Sequence, residues 1–380
     1  NRRQEVEAYQ RAVDLDPGFA LAQAALCHAH AFYYRLGLDL TAARRAMSKE
    51  AFDRAMALDP ESPRVLFELG FYHYYIEGDY DAALDKFLAA AEVYPNDGQI
   101  LAATAFIWRR QGRFEEGIEQ LKRALEVSPK DAQIAALIGE YSQQSRNYPQ
   151  AVEYLDTAIG LAPDNDWSYN VKSQTLLAWR GDLAGSRRVL ESLPELDKGD
   201  DGYYWGWTPL YRLSRDFENL LELQEKAPFE WFTSQLASIP IELGRGQTLG
   251  YLGRTEEARA AYEAARIALD NELKERPDDF RLHSSLGLAY AGLGRKAEAI
   301  AAGKRAVEMQ PVEKDAYIGP LQVEHLAIIY AQLGEADLAV DQLEYLLSIT
   351  SKLSVPMLRL DPRWDPLRDH PRFQALLQSG

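Results

Sequence analysis

The sequence predicts an all-α chain: a right-handed superhelical solenoid of antiparallel helix pairs, ended by a C-terminal cap. Three observations carry this. Prolines that close an apolar segment fall at Pro95, Pro129 and Pro163, each 34 residues after the last, which is a helical-repeat period. In that frame Gly78, Gly112 and Arg146 share one position, Tyr80, Phe114 and Tyr148 follow two later, and Ala83, Gly117 and Ala151 three beyond. Small residues thus recur where two helices must approach closely. Phe87, Leu121 and Leu155 repeat a bulky residue, followed three on by Ala90, Ala124 and Ala158, so large is set into small in every copy. Finally, alternating β-branched runs are absent, so no strand signal competes.

The elements follow in order. Residues 4–15, with Val6, Tyr9, Ala12, Val13 and Leu15 before Pro17, read as the second helix of a repeat whose first helix is missing. The chain lacks an initiator Met and reads as a fragment of a longer protein. The expected divisions are 1–17 for that truncated repeat, 18–200 for units one to five, 201–353 for units six to nine, and 354–380 for the cap. The units fall at about 18–63, 64–97, 98–131, 132–165, 167–200, 201–235, 239–279, 280–313 and 320–353. Each holds two amphipathic helices of roughly 12 residues. Between them lie turns such as Glu77-Gly78-Asp79-Tyr80, Gln111-Gly112-Arg113-Phe114 and Leu293-Gly294-Arg295-Lys296, where glycine accepts the left-handed conformation that ends a helix. Asp16-Pro17, Asp59-Pro60, Tyr94-Pro95 and Ser128-Pro129 then push the residue before proline out of the helical region.

The irregular copies carry their own expectations. Pro17 to Pro60 spans 43 residues, which predicts an enlarged first repeat with long helices around Phe32-Tyr33-Tyr34 and from Ala42 to Ala57. Units five and six lose the proline register, with Leu193-Pro194 and Ala227-Pro228 early, and Glu195 to Gly202 between them is a place for a bend. Unit seven runs from Glu256 to Arg276 before Pro277, a second helix of about five turns. In the cap, Trp364, Leu367, Phe373 and Leu376 are available to pack inward, because the last unit of a solenoid exposes an apolar face that needs cover.

This pattern resembles the tetratricopeptide repeat (TPR), and Leu286-Gly287, Tyr290, Gly294, Ala299, Ala306 and Pro311 form its fullest copy. The resemblance implies a concave groove lined by the first helix of each unit, with positions 2, 5, 9, 12 and 13 facing it. Those offsets give Tyr72, Tyr75 and Ile76 in unit two, Phe106, Arg109 and Arg110 in unit three, and Glu140, Gln143 and Gln144 in unit four. They give Trp179 in unit five, and Trp205 and Arg212 in unit six. Aromatics and arginines dominate interface hot spots, so the expected partner-binding set is Tyr72, Tyr75, Phe106, Arg109, Arg110, Trp179, Trp205 and Arg212. TPR clamps for chaperone tails also use Lys and Asn at positions 5 and 9, where this chain has Ala102, Phe106, Val171 and Thr175; that clamp is not expected. Tyr203-Tyr204-Trp205-Gly206-Trp207, with Trp231-Phe232 nearby, is the densest aromatic cluster, and five consecutive helical residues cannot all face one core. Residues 245–377 further resemble the C-terminal TPR regions of large bacterial signalling proteins of the serine/threonine kinase, adenylate cyclase and winged-helix types, which implies an interaction module of a bacterial regulatory protein.

Composition narrows the function classes. Lys and Arg number 42 against 58 Asp and Glu, and a net charge of -16 repels phosphate backbones, so nucleic acid is not the expected partner of this region. No stretch reaches 18 uncharged apolar residues, so no membrane span is expected within the chain. A single cysteine, Cys27, excludes an internal disulfide framework and a multi-cysteine metal site. His28 and His30 point about 200° apart on a helix, and His73, His283, His325 and His370 are isolated, so no metal ligands are expected. Phosphate-loop, nucleophile-elbow and H-E-x-x-H patterns are missing, and Glu115-Glu116 and Glu256-Glu257 sit where helix starts favour negative charge. The sequence therefore predicts a scaffold without catalytic residues or cofactors that binds a protein or peptide in its groove. Homo-oligomerisation through the helix at 4–15, or a small-ligand sensor controlling an effector domain, are the alternatives. A cytoplasmic location fits, as does a periplasmic one if a membrane segment lies upstream.

Overall fold

The computed structural model describes residues 2–194 and 201–378. The chain divides into two compact units, Asn1–Pro129 with Thr233–Gln235, and Lys130–Phe232 with Leu236–Gly380. In the first, α1 (Arg2–Leu15) precedes the pairs α2/α3 (Ala20–Arg35, Ala42–Leu58), α4/α5 (Pro63–Tyr72, Tyr80–Val93) and α6/α7 (Gly98–Arg110, Phe114–Val127). In the second, the pairs are α8/α9 (Ala132–Gln144, Tyr148–Leu161), α10/α11 (Asp166–Arg180, Leu183–Glu191), α12/α13 (Asp201–Leu213, Phe217–Glu225), α14/α15 (Ile241–Tyr251, Thr255–Glu275), α16/α17 (Phe280–Gly292, Lys296–Met309) and α18/α19 (Gly319–Gln332, Ala336–Ser348). Then come α20 (Val355–Leu360), a 3-10 turn (Pro362–Leu367) and α21 (Pro371–Gln378). The described residues thus hold nine consecutive helix pairs after α1.

Local chemistry explains the pairs. Gly78, Gly112 and Gly294 take positive φ (67°, 79° and 72°) and end their helices. Short polar side chains then open the next helix: Asp79 accepts from the Ala82 N–H, Asp97 from Gln99 and Ile100, and Asp131 from Gln133 and Ile134. Within each pair the large-into-small pattern is a close approach. A Cβ on Gly70 would lie 2.4 Å from the Phe87 ring, and one on Gly139 would lie 2.6 Å from Leu155 Cγ. The long second helix of unit seven is α15, 21 residues, and the enlarged first repeat consists of 16- and 17-residue helices.

First and second helices differ in how they are covered. On α9 only Ala151, Leu155 and Ala158 are buried, a single stripe, whereas α8 is buried at every position from Ile134 to Gln144, polar residues included. A helix enclosed on all sides needs cover from more than its neighbours in sequence. In the second unit that cover is the chain's own later segments. Tyr317 donates its hydroxyl to Glu140 Oε1 at 2.9 Å, and Arg146 Nη2 donates to the carbonyls of Leu346 (3.1 Å) and Leu353 (3.3 Å) and to Ser351 Oγ (3.1 Å). Beyond this crossing, Trp364, Leu367 and Phe373 are fully buried in one core with Leu343 and Leu346, and Leu376 packs against it.

Two features differ from the sequence expectations. A two-stranded ribbon, β1 (Trp231–Thr233) with β2 (Ser238–Pro240), interrupts the helices; strands of three residues are too short to show alternation. The helix after Tyr72 widens into a π turn, His73–Glu77, and changes the facing of the residues that follow. The segment expected to bend, Glu195 to Gly202, lies largely outside the described residues.

Candidate functional site

The first unit gathers Tyr75, Phe106 and Arg110 around Tyr74. Tyr75 and Tyr74 rings are 4.6 Å apart, Phe106 packs on the same cluster, and the Arg110 guanidinium lies 5.3 Å from the Tyr74 ring centre. Arg110, fully buried, donates from Nε to Tyr74 Oη at 3.0 Å and from Nη2 to Gln235 Oε1 at 2.5 Å. Arg35 donates to the same Gln235 oxygen and stacks over both tyrosines. Burial works against ionisation of Tyr74, but Arg110, Arg35 and Arg109 outweigh it and hold this phenol below its ordinary value. Burial pushes the neighbouring Tyr75 phenol up. Arg109 is buried on the same helix. Tyr72 is turned elsewhere, into the core between α2, α3 and α4, with its ring 4.7 Å from Phe52. The π turn separates it from Tyr75, which a regular helix would keep on nearly the same side.

In the second unit, Glu140, Gln143 and Gln144 are buried, and Trp179 stands apart from Trp205 and Arg212. Trp179 ends α10 half-buried, stacked on Tyr148 at 6.3 Å with the Arg180 guanidinium 3.7 Å from its ring centre. Trp205 and Arg212 share one face of α12 with Thr208 and line a cavity of about 190 Å³. Pro209 within α12 has no N–H for the Trp205 carbonyl, so the helix is loosened at the cavity wall. Tyr204, Gln224, Tyr251, His325 and Arg363 also line it and were not anticipated. Tyr204 lay inside the aromatic cluster visible in the sequence; Gln224 comes from the next helix, and Tyr251, His325 and Arg363 from elements farther along the chain, for which periodicity gives no signal.

Arg363 anchors the charged end of this region. Its Nε and Nη2 donate to Asp361 Oδ2 at 2.9 and 2.6 Å, and Nη2 also reaches Glu324 Oε1 at 3.0 Å. Arg212 Nε stands 3.5 Å from the same Asp361 oxygen. Burial alone would raise the Asp361 carboxyl, but Arg363 and Arg212 hold it at about 2. His325 shares a 2.7 Å hydrogen bond with Ser284 Oγ, and burial together with the two arginines pushes its imidazole down to about 3, so it is neutral at pH 7. No group of three metal-ligating side chains exists among the described residues, and no helix there is long and apolar enough to cross a membrane.

Successive helix pairs with a covered first helix define a helical-repeat solenoid. Tetratricopeptide-repeat family models match residues 33–98 and 243–314, and another such model matches 74–141. Residues 33–141 and 243–314 thus match tetratricopeptide repeats, and the fold is a TPR-like solenoid. Yeast Tom70 is similar at a TM-score of 0.52 and 14% identity, over 91% of this chain and 88% of that one. Pseudomonas aeruginosa PilF is similar at a TM-score of 0.39 and 19% identity, over 60% of this chain and 90% of that one. At 14% identity the likeness to Tom70 is one of fold. No curated protein matches the sequence.

Proposed function

We propose that this chain is a non-catalytic interaction scaffold of a bacterial regulatory protein, binding a protein or peptide segment through aromatic and arginine side chains on its repeat helices. Tetratricopeptide repeats generally mediate protein–protein interaction, which supports the class of function. The observation that carries the site is Trp179: a half-buried indole held between Tyr148 and Arg180 at the surface of the second unit. Tryptophan, tyrosine and arginine are the residues that interfaces use as anchors, since they bury large area from few rotors. Tyr72, Tyr75, Phe106, Arg109 and Arg110 lie in the first unit, and Trp205 and Arg212 face a separate cavity of the second. The resemblance of residues 245–377 to bacterial signalling proteins supports the regulatory setting.

The test is capture of proteins from the source cell on immobilised wild-type chain and on Trp179→Ala/Arg180→Ala. Loss of a hot-spot pair of this kind should weaken a specific partner by at least tenfold, since each such residue contributes ~2 kcal/mol or more. Equal retention of every partner by the double variant, with an unchanged melting curve, would sink the assignment. A second reading, self-association, is favoured by Tyr9, Phe19 and Leu21, exposed together with Leu15 at 88%. Light scattering separates the two, because a mass that stays monomeric at every concentration excludes self-association.

A further inference from the structure

The cavity in the second unit has an apolar body and one charged end. Its walls come from α12, α13, the β1/β2 ribbon, α14, α16, α18 and the 3-10 turn, with Tyr204, Trp205, Phe232 and Leu243 around the body. Arg212 supplies the charge, and it is poorly used. Its Nε has no hydrogen-bond partner among the described residues, and the Asp361 oxygen 3.5 Å away already accepts two shorter bonds from Arg363. Gln224, only 4% exposed, also faces the cavity with Oε1 lacking a donor among the described residues. Buried donors and acceptors left unmade are costly, so a site with one of each is complete only with a molecule that supplies both partners.

We propose that this cavity binds a small aromatic carboxylate bearing a single negative charge. The ring lies among Tyr204, Trp205 and Phe232, the carboxylate pairs with the Arg212 guanidinium, and an N–H or O–H of the ligand donates to Gln224 Oε1. The planar guanidinium fork matches a carboxylate in shape as well as charge. Charge favours a monoanion over a dianion: Asp361 and Glu324 already balance Arg363 and Arg212 in the same cluster, so a ligand carboxylate is held by hydrogen bonding to the Arg212 fork rather than by surplus positive charge, and a second negative charge would find no such donor. Volume decides against a long chain, since about 190 Å³ lies below the ~300–1,000 Å³ of pockets for drug-sized ligands. The cavity is distinct from the Trp179 patch, so this assignment goes beyond the scaffold reading and stands independently of it.

Calorimetry and tryptophan fluorescence on the full chain test the proposal with 3-phenylpropionate, 3-(4-hydroxyphenyl)propionate, 3-phenylpropanamide, phenyl phosphate and a tetrapeptide ending in phenylalanine. The expected result is saturable one-to-one binding of the two free acids, at least tenfold tighter than the amide and the phosphate, with 3-(4-hydroxyphenyl)propionate, the one acid that carries a donor for Gln224 Oε1, the tighter of the two. Arg212→Gln should abolish the tenfold preference of acid over amide. Gly244→Leu should abolish binding of all probes: a Cβ at Gly244 lies 3.0 Å from Gln224 Nε2 and 3.5 Å from Tyr204 Oη, so its side chain grows into the cavity. Glycine to leucine also favours the helix, so this variant remains informative if Arg212→Gln unfolds. Absence of saturable binding by either acid, equal binding of acid and amide, unchanged binding in Gly244→Leu, or tighter binding of the tetrapeptide than of the acids would each overturn it.

Discussion

His325 shows what burial does to a single side chain. Its folded pKa of about 3 lies below the ordinary 6.5, so between these values the unfolded chain binds a proton that the folded chain does not. Stability from this group is fully present above pH 6.5 and is lost as pH falls toward 3. His30, pushed down to about 4 by burial and by Arg44, acts in the same direction in the first unit. Asp361 adds a pH dependence only in a lower range: its stabilisation is present above the unfolded value near 4 and is lost as pH falls through about 2. The melting temperature of the wild type should therefore decline on acidification starting near pH 6.5. In His325→Gln that decline should be shallower between pH 6.5 and 4, and identical curves for the two proteins would refute the assignment.

At the scale of elements, two arginines explain where the repeat signature breaks. Arg146 and Arg215 are the non-glycine residues at positive φ among the described residues, 58° and 59°. Arg146 stands where the neighbouring repeats have Gly78 and Gly112. A side chain in this conformation costs ~1–2 kcal/mol relative to glycine. Both guanidiniums hold the C-terminal segment: Arg146 collects the carbonyls of Leu346 and Leu353, and Arg215 pairs with both carboxylate oxygens of Asp365 at 2.8 and 2.6 Å. Arg146 bonds these carbonyls in a part-buried setting, and hydrogen bonds from a charged donor contribute about 1.5–3 kcal/mol. Arg146→Ala should thus lower unfolding stability by about 2–3 kcal/mol in urea titration. Arg146→Gly should cost about 1 kcal/mol less, because it relieves the backbone. Arg215 and Asp365 are 49% and 39% exposed, and Arg215→Ala should cost under about 1 kcal/mol. Equal costs for alanine and glycine at 146 would refute the strain argument. The helix pairs and their turns were legible in the sequence because proline, glycine and the large-into-small pattern act within one repeat. The departure at Arg146 was visible as a missing glycine, but its reason lies some 200 residues away and leaves no local period. Tyr72 was misplaced for a similar reason: nothing in His73–Glu77 announces a π turn.

For the molecule as a whole, the C-terminal segment is structural as well as terminal. It buries Trp364, Leu367 and Phe373, and removing a buried Trp or Phe side chain costs ~3–5 kcal/mol each. That loss is comparable with the ~5–15 kcal/mol by which domains are stable. Deleting residues 356–380 should therefore lower the melting temperature by more than about 10 °C and open α18 and α19 to protease. An unchanged melt and digestion pattern would show that the segment is dispensable. The cavity at α12 and α14 was only half legible, since Trp205 and Arg212 lie on one face of one helix while Gln224, His325 and Arg363 arrive from three others.

The reach of Arg146 to Leu346 and Leu353 also bears on how such a protein can change over generations. Arrays that touch only their neighbours can gain or lose a copy by duplication or deletion, because every junction is alike. Here a copy added or removed between those residues would carry the carbonyls out of the guanidinium's grasp, so the tally of hairpins in that stretch is frozen by one side chain.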